Sequence, residues 1–202
     1  MLDWGARKAP GLRLQALSFR YATAGFCSHF SGVCLIRLYQ TLSDFIRSLG
    51  GYRLKAIVVY LSTSGNTKAM AEAIGNGIES KNVDVKVVSF YDVKPEELNE
   101  AEAIAVGSST FYYKMLLPME KFMDETLVST NPQGKIGAAF GSYGWSGEAP
   151  ILIAEKMREM GMSVVDPVLR ILHKPTDKDL QECKRLGIDI AEKLKHKSKK
   201  AE

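Results

Sequence analysis

The fold is decided by residues 55–81, which read KAIVVYLSTSGNTKAMAEAIGNGIESK. The first seven residues form a short, mostly apolar run, which is typical of a strand that is buried on both faces. From Thr67 onward the apolar residues recur at three- and four-residue spacing, which predicts an amphipathic helix. A strand followed at once by a helix is the opening of a βαβ unit.

The alternation of strand and helix continues through the rest of the chain. Four more apolar runs predict strands near residues 83–90, 103–108, 135–143 and 163–172, and segments with helical periodicity lie at 116–128, 148–161 and 177–195. Residues 91–101 predict a short helix or turn that starts at Pro95. Five buried strands alternating with helices predict an α/β fold, in which helices cover both faces of a five-stranded parallel sheet.

The positive charge of the chain is concentrated in its first part. The formal net charge is +4, yet residues 1–53 hold six arginines and one lysine against two acids, whereas residues 54–202 hold twenty bases and twenty-one acids. Because the larger part is close to neutral, the overall basicity does not indicate a nucleic-acid-binding protein. No apolar run reaches the length of a membrane span, so we expect no transmembrane segment.

The three cysteines, Cys27, Cys34 and Cys183, cannot form an even disulfide framework. A chain of this size does not need such a framework, and a reducing compartment fits best, so we expect a cytoplasmic protein. Cys27, His29 and Cys34 have loose spacing and no fourth ligand, which falls short of a zinc site. We therefore predict no metal.

The N-terminal extension, residues 1–53, is interpreted separately from residues 54–202. Its segment 31–49 has apolar residues on one helical face and is followed by Gly50 and Gly51, which predicts an amphipathic helix with a glycine stop. The alternative is that the extension is an over-extended gene start, which its arginine-rich composition supports. The composition favours the two interpretations about equally. The mass of the native protein distinguishes the two.

Three loops of unusual composition follow the first, third and fourth predicted strands. The carboxyl ends of parallel strands meet at one edge of a sheet, where ligands of such folds bind. The first loop, STSGNT at 62–67, offers hydroxyl groups and one glycine at the start of a helix, a position that favours an anion such as a phosphate. The alternative is that these residues only cap the helix. No P-loop lysine or GxGxxG pattern is present, which argues against a nucleoside triphosphate or a dinucleotide.

The second loop, SSTFYYKM at 108–115, and the third, GSYGWSGE at 141–148, are rich in aromatic residues. Aromatic side chains at loop tips favour the interpretation that they cover a flat apolar ligand, such as an isoalloxazine ring. Taken singly, each aromatic residue is more often a packed or scattered surface residue. Their occurrence in two loops at one sheet edge favours a common ligand.

Residues 54–202 resemble a short-chain flavodoxin, and KIGAAFGSYGWSGEA at 135–149 closely resembles the flavodoxin domain of type A flavoproteins, also called flavodiiron proteins. The resemblance implies a flavodoxin-like three-layer sandwich with strand order 2-1-3-4-5 and FMN as cofactor. It implies that the FMN phosphate is held by Ser62, Thr63, Ser64, Gly65, Asn66 and Thr67. It also implies that Ser109, Thr110, Phe111 and Tyr112 line one side of the flavin, and that Ser142, Tyr143, Gly144, Trp145 and Gly147 line the other.

Two features depart from the families that the chain resembles. The chain has only three histidines and no His/Glu/Asp cluster, so we expect no diiron centre and no oxygen or nitric oxide reduction by this chain alone. The second loop also lacks the glycine that lets many flavodoxins turn a peptide towards the flavin, because Phe111, Tyr112 and Tyr113 occupy that region. A positive φ there costs about 1 kcal/mol or more, so we expect that device to be weak.

The leading functional hypothesis is an FMN-dependent carrier that passes electrons between redox partner proteins and needs no catalytic residue of its own. One alternative is an NAD(P)H-dependent quinone or flavin reductase on the same fold, for which the sequence offers no clear extra pocket loop. The other alternative is a binding module without flavin, which the intact first loop disfavours. A homodimer is left open by the sequence.

Overall fold

The computed structural model describes residues 53–200, and the N-terminal extension with its predicted helix at 31–49 lies outside the described residues. The strands are β1 (Lys55–Leu61), β2 (Asp84–Ser89), β3 (Ala103–Ser108), β4 (Thr110–Phe111), β5 (Lys114–Met115), β6 (Ile136–Tyr143), β7 (Ser163–Val164) and β8 (Leu169–Leu172). The helices are α1 (Asn66–Glu79), α2 (Pro95–Glu100), α3 (Leu117–Lys121, continued by a π-helical turn over Phe122–Leu127), α4 (Glu148–Glu159) and α5 (Asp177–Lys200).

The main sheet is parallel and has the order β2-β1-β3-β6, with β7 and β8 both paired to β6. The predicted order 2-1-3-4-5 is therefore confirmed, since β6 is the predicted fourth strand and β7 with β8 is the fifth. In register, Leu61 at the end of β1 pairs with Ser108 at the end of β3, and Gly107 pairs with Phe140 on β6. The three loops that follow these strands consequently leave the same edge of the sheet.

The fifth strand differs from its prediction as one continuous run over 163–172. The structure divides it into β7 and β8, which are separated by residues 165–168. Pro167, which follows a cis peptide bond, lies in this interruption and has no N–H to donate to the sheet. Val165 still donates its N–H to the carbonyl of Gly137 at 2.8 Å, so the interruption is local.

Two apolar cores lie on opposite faces of the sheet, because successive strand side chains point to opposite sides. On β1, Ile57 and Val59 belong to one core, and Ala56 and Val58 belong to the other. Helices α3 and α4 cover the first core, whereas α1 and α5 cover the second. The layered α/β architecture predicted from the alternating elements is thus the observed one.

Helices α1 and α5 cross at two glycines. A Cβ on Gly77 would lie 2.1 Å from the carbonyl oxygen of Lys184, and a Cβ on Gly187 would lie 2.1 Å from the carbonyl oxygen of Ile74. The obstructing atoms are backbone atoms, which cannot turn aside as a side chain can. The two helices can therefore approach this closely only because both positions lack a side chain.

We predict that Gly77→Ala destabilises the protein by about 1–3 kcal/mol, since separating the helices outweighs the better helix propensity of alanine. The free energy of unfolding, measured by urea titration, tests this. The matched control is Asn76→Ala, because Asn76 is the exposed neighbour of Gly77 on the same helix. A Gly77→Ala protein as stable as the Asn76→Ala protein would contradict the proposed contact.

The helices agree with their predicted segments, with two differences. The π-helical turn over Phe122–Leu127 continues α3 and was not predicted, because its apolar spacing also suits an α-helix. Helix α5 extends to Lys200, beyond the predicted end at residue 195. Among the described residues, no helix has the length and apolar character that crossing a membrane requires.

Candidate functional site

One buried hydroxyl joins the three loops at the carboxyl edge of the sheet. Thr67, at the start of α1, is fully buried. Its Oγ1 lies 3.0 Å from Oγ of Ser109 in the second loop and 3.1 Å from Oγ of Ser142 at the end of β6. Each contact has hydrogen-bond length, so the three hydroxyl groups form one cluster. The cluster fixes the three loops relative to one another.

The first loop leaves the start of α1 open. Gly65 occupies the N-cap position with φ +84°, and no side chain caps the helix there. A Cβ added to Gly65 would meet nothing within 4 Å, so the space beside it is free. The alternative interpretation, in which Ser or Asn side chains cap α1, is therefore not the observed arrangement. The first N–H groups of the helix remain available for an anion.

Ser62 and its neighbours surround this helix start. The hydroxyl oxygen of Ser62 is enclosed and has no hydrogen-bond partner among the described residues. Thr63 and Ser64 are exposed, and Asn66 is half-buried. A buried hydroxyl without a partner is unfavourable by about 1–3 kcal/mol, so this oxygen indicates a missing ligand group. The loop fits an anion with several oxygen atoms.

The second loop forms a β-hairpin that the sequence did not predict. Strands β4 and β5 pair antiparallel through a two-residue turn at Tyr112 and Tyr113, which have φ of +48° and +61°. Positive φ at both turn residues is the type I′ geometry that suits the twist of hairpin strands. The sequence analysis expected positive φ to be unfavourable in this loop, yet the structure has it at both tyrosines, because they form the turn of the hairpin. Such strain in residues other than glycine is often found at functional sites.

The hairpin presents its aromatic residues to the exterior. Tyr112 is 82% exposed and Phe111 is 61% exposed, and their rings are in edge-to-face contact with centroids 4.6 Å apart. Thr110 accepts a hydrogen bond from the backbone N–H of Ala149 at 3.2 Å. This bond ties the hairpin to the first turn of α4, which follows the third loop.

The third loop combines a buried base with an exposed tip. Ser142 and Gly147 are buried, Tyr143 is half-buried, and Gly144 is exposed. Trp145, at the tip, is 86% exposed. The structure therefore brings the predicted residues of all three loops to one edge of the sheet, and it leaves large aromatic surfaces there without protein cover.

Three residues of this edge were missed by the sequence analysis. His173 donates its N–H to the carbonyl of Tyr143 at 2.7 Å, and its ring is 3.8 Å from the position of a Cβ on Gly144. Arg170 Cδ is 3.2 Å from the position of a Cβ on Gly147. His173 directly follows β8, so the rule that ligand loops follow strand ends could have identified it.

Glu148, the third of these, begins α4. Its Oε2 is enclosed and without a hydrogen-bond partner among the described residues. A carboxylate in the first turn of a helix interacts favourably with the helix dipole, which gives this position a structural explanation.

The described residues contain no group of three or more His, Cys, Asp or Glu side chains that could hold a metal ion. Cys27, His29 and Cys34 lie outside them. Burial raises the pKa of the Cys183 thiol to about 12, so this cysteine is protonated at neutral pH. Cys183 lies on α5, and its side chain is buried in the core that this helix covers.

The fold and the site together define a class of protein. The sheet has a doubly wound parallel order, an open helix start with an unpartnered hydroxyl follows its first strand, and exposed aromatic residues follow its third and fourth. This combination fits a ligand that has an anionic group at one end and a flat aromatic ring system at the other. The class is an α/β mononucleotide-binding protein.

Comparison with known proteins identifies the family. The flavodoxin family model matches residues 58–187. A solved structure described as a flavodoxin from the domain Archaea is 92% identical to this chain, with a TM-score of 0.70, and the match covers 71% of this chain and 100% of that one. The chain therefore belongs to the flavodoxin family, and its cofactor is FMN.

Flavodiiron proteins are also similar to this chain. The putative diflavin flavoprotein A 5 of Nostoc sp. (strain PCC 7120) is 32% identical over 82% of the chain, and the type A flavoprotein fprA of Rhodobacter capsulatus is 32% identical over 77%. The flavodiiron core of Flv1 from Synechocystis sp. PCC6803 is 28% identical over 83% of the chain, with a TM-score of 0.67 and 41% of that structure covered. The chain spans only 30% and 37% of the two curated relatives.

We predict that Thr67→Val lowers both the free energy of unfolding of the flavin-free protein and its affinity for FMN. Valine keeps the shape but leaves the hydroxyl groups of Ser109 and Ser142 without their shared partner, at a cost of about 1–3 kcal/mol. Urea unfolding of the flavin-free protein and fluorescence titration with FMN measure the two effects.

The control for this experiment is Thr67→Ser, which keeps the hydroxyl. It should retain most of the FMN affinity. If Thr67→Val binds FMN as tightly as the unmodified protein, the hydroxyl cluster has no part in shaping the cofactor site.

Proposed function

We propose that this protein is an FMN-dependent electron carrier that passes electrons between redox partner proteins, with the FMN domain formed by residues 54–202. The observation that carries the proposal is the open start of α1, which has an unpartnered hydroxyl and uncapped N–H groups. It lies at the same edge of the sheet as the loops with exposed aromatic residues. These groups fit the phosphate and the ring of one mononucleotide. The similarity to flavodoxins and flavodiiron proteins supports the same function.

In this proposal the phosphate of FMN lies at the start of α1. The residues that hold it are Ser62, Thr63, Ser64, Gly65, Asn66 and Thr67. Gly65 allows the loop to turn into the helix with a positive φ, and the dipole of α1 favours the negative charge. Thr67 acts mainly through position, since its hydroxyl already bonds Ser109 and Ser142.

The flavin ring lies between the second and third loops in this proposal. Its neighbours are Ser109, Thr110, Phe111 and Tyr112 on one side and Ser142, Tyr143, Gly144, Trp145 and Gly147 on the other. The exposed rings of Tyr112 and Trp145 support this placement, because stacking on a flat ring removes apolar surface from water. Backbone N–H groups of the two loops are donors for the polar edge of the ring.

The redox chemistry is supplied by FMN, which accepts and releases electrons when it is bound. The residues of the chain bind the phosphate, orient the ring and limit the access of water to it. No side chain of the site is assigned the role of nucleophile or general base, because outer-sphere electron transfer needs neither. Steady-state oxidation of NAD(P)H with quinones would instead support the reductase alternative.

We predict that Ser62→Ala lowers the affinity for FMN by about tenfold and leaves the affinity for riboflavin unchanged, since a charge-assisted hydrogen bond to phosphate contributes about 1.5–3 kcal/mol. Riboflavin has the same ring without the phosphate, so the comparison isolates the phosphate contact. Fluorescence titration of the flavin-free protein measures both affinities.

Ser129→Ala is the matched control, because the Ser129 hydroxyl is exposed and bonds only a local carbonyl. Equal losses for FMN and riboflavin in Ser62→Ala would assign Ser62 to the ring or to stability instead. A purified protein that binds no FMN at micromolar concentration would remove the proposed function altogether.

A further inference from the structure

Positive charge is concentrated in the last eight residues of α5. Residues 193–200, which read KLKHKSKK, hold five lysines and no acid, and we call them the basic end of α5. The sixteen residues before them in the helix hold three bases and five acids. Between residues 53 and 192, no stretch of eight residues holds more than three lysines or arginines. The charge is therefore a local feature and not a property of the whole domain.

The basic end is helical and is held against the domain. Leu194 is buried in the core that α5 covers. Lys193 donates to the carbonyl of Val164 at 2.8 Å, and Lys197 donates to the carbonyl of Gly134. These contacts fix the direction of the helix up to its last turn. The basic end is thus a defined surface of the fold.

Carboxylates near the basic end cancel only part of its charge. Two of them interact with other lysines, since Glu192 pairs with Lys81 at 2.7 Å and Glu102 interacts with Lys135. Asp189 is exposed and lies one turn before the basic end. The helix dipole places about half a negative elementary charge at the end of α5, so that about three of the positive charges stay uncompensated even when Asp189 is counted.

The composition of the basic end indicates the kind of partner. It has no Phe, Tyr or Trp, and its one apolar residue, Leu194, is buried. Protein interfaces depend on exposed aromatic or apolar anchors, and single-stranded nucleic acids stack their bases on aromatic side chains. A surface of anionic lipid headgroups requires neither, because a cluster of lysines on a helix binds it through charge. The basic end therefore fits a lipid surface.

The basic end lies far from the loops of the candidate site. Helix α5 begins at Asp177, four residues after His173 at the carboxyl edge of the sheet, and its 24 residues span about 36 Å. Gly134, whose carbonyl accepts from Lys197, precedes β6 and lies at the amino edge. A surface that is bound to the basic end consequently leaves the carboxyl edge free.

We propose that the basic end of α5 binds the anionic headgroup surface of a lipid bilayer without entering the bilayer. The lysines interact with the headgroup phosphates, and no apolar side chain of the basic end is available for insertion. The binding is therefore electrostatic and reversible, and salt weakens it. Duplex nucleic acid has the same phosphate chemistry, but its binding uses many phosphate contacts along the backbone, whereas these lysines occupy the end of one helix.

Flotation of the full chain with vesicles tests the proposal. Vesicles of phosphatidylcholine are compared with vesicles that also contain the anionic lipid phosphatidylglycerol. We expect the protein to bind only the anionic vesicles at low ionic strength and to be released at high salt, because exposed charges are then screened.

The variant that tests the site is Lys195→Gln/Lys199→Gln/Lys200→Gln. It removes three charges and keeps both lysines that donate to backbone carbonyls. Each lysine close to an anionic surface contributes a factor of about five, so we expect the partition coefficient of this variant to fall by about tenfold or more. Glutamine and lysine have similar helix propensities, so the helix should remain intact.

The matched control is Lys94→Gln/Lys121→Gln/Lys178→Gln, which changes the net charge equally at exposed positions outside the basic end. It should bind the anionic vesicles as the unmodified protein does. Both variants retain residues 1–53, so the charges of the N-terminal extension contribute equally to both. The thermal unfolding midpoint of each variant shows whether it is folded.

Equal partition of the two variants, or equal binding to vesicles of phosphatidylcholine alone, would overturn the proposal. Displacement from the vesicles by a micromolar duplex oligonucleotide would overturn it in favour of nucleic acid. Release by millimolar glycerol phosphate at constant ionic strength would assign the lysines to a small phosphate compound instead.

This inference and the proposed function fail separately. A protein that floats with anionic vesicles but has no flavin spectrum supports the lipid contact and contradicts the electron carrier. A protein that retains FMN and ignores the vesicles does the reverse.

Discussion

The buried hydroxyl of Thr67 is the interaction on which the site depends. It belongs to α1, which packs on one core, and it bonds Ser109, which follows β3, and Ser142, which lies at the end of β6. A hydroxyl in that position has no water to replace a lost partner, so the loops can move apart only by leaving a buried polar group unsatisfied. The core beneath the edge therefore fixes the positions of the three loops, and the hydroxyl cluster fixes the distances between their exposed tips.

Much of the fold could be predicted from the sequence because the sheet is buried on both faces. Continuous apolar runs identify such strands, and β3 was predicted with its observed bounds. The break in the fifth strand was less evident, although Pro167 stands in it. The hairpin could not be predicted, since Tyr112 and Tyr113 are not residues that favour a type I′ turn. Its backbone is decided by the surrounding structure and not by local preference.

The site was predictable as a set of loops but not in its internal contacts. The rule that ligand loops follow strand ends identified all three segments. The burial of Thr67 could also have been inferred, because Thr67, Met70, Ala71 and Ile74 share one helical face and all four are buried. Arg170 was missed because its proximity to the third loop depends on the pairing of β8 with β6, which is a long-range contact. The relation of each predicted residue to the cofactor itself stays a proposal.

The divided fifth strand affects how copies of the molecule can meet. A sheet edge with free N–H and C=O groups invites another chain to extend the ladder. Here β7 and β8 have two and four residues, and a proline stands between them. Such short segments give little template for a foreign strand, so this margin of the sheet is protected against aggregation. A homodimer, which the sequence leaves open, could therefore share a sheet only through the opposite margin, where β2 has six continuous residues.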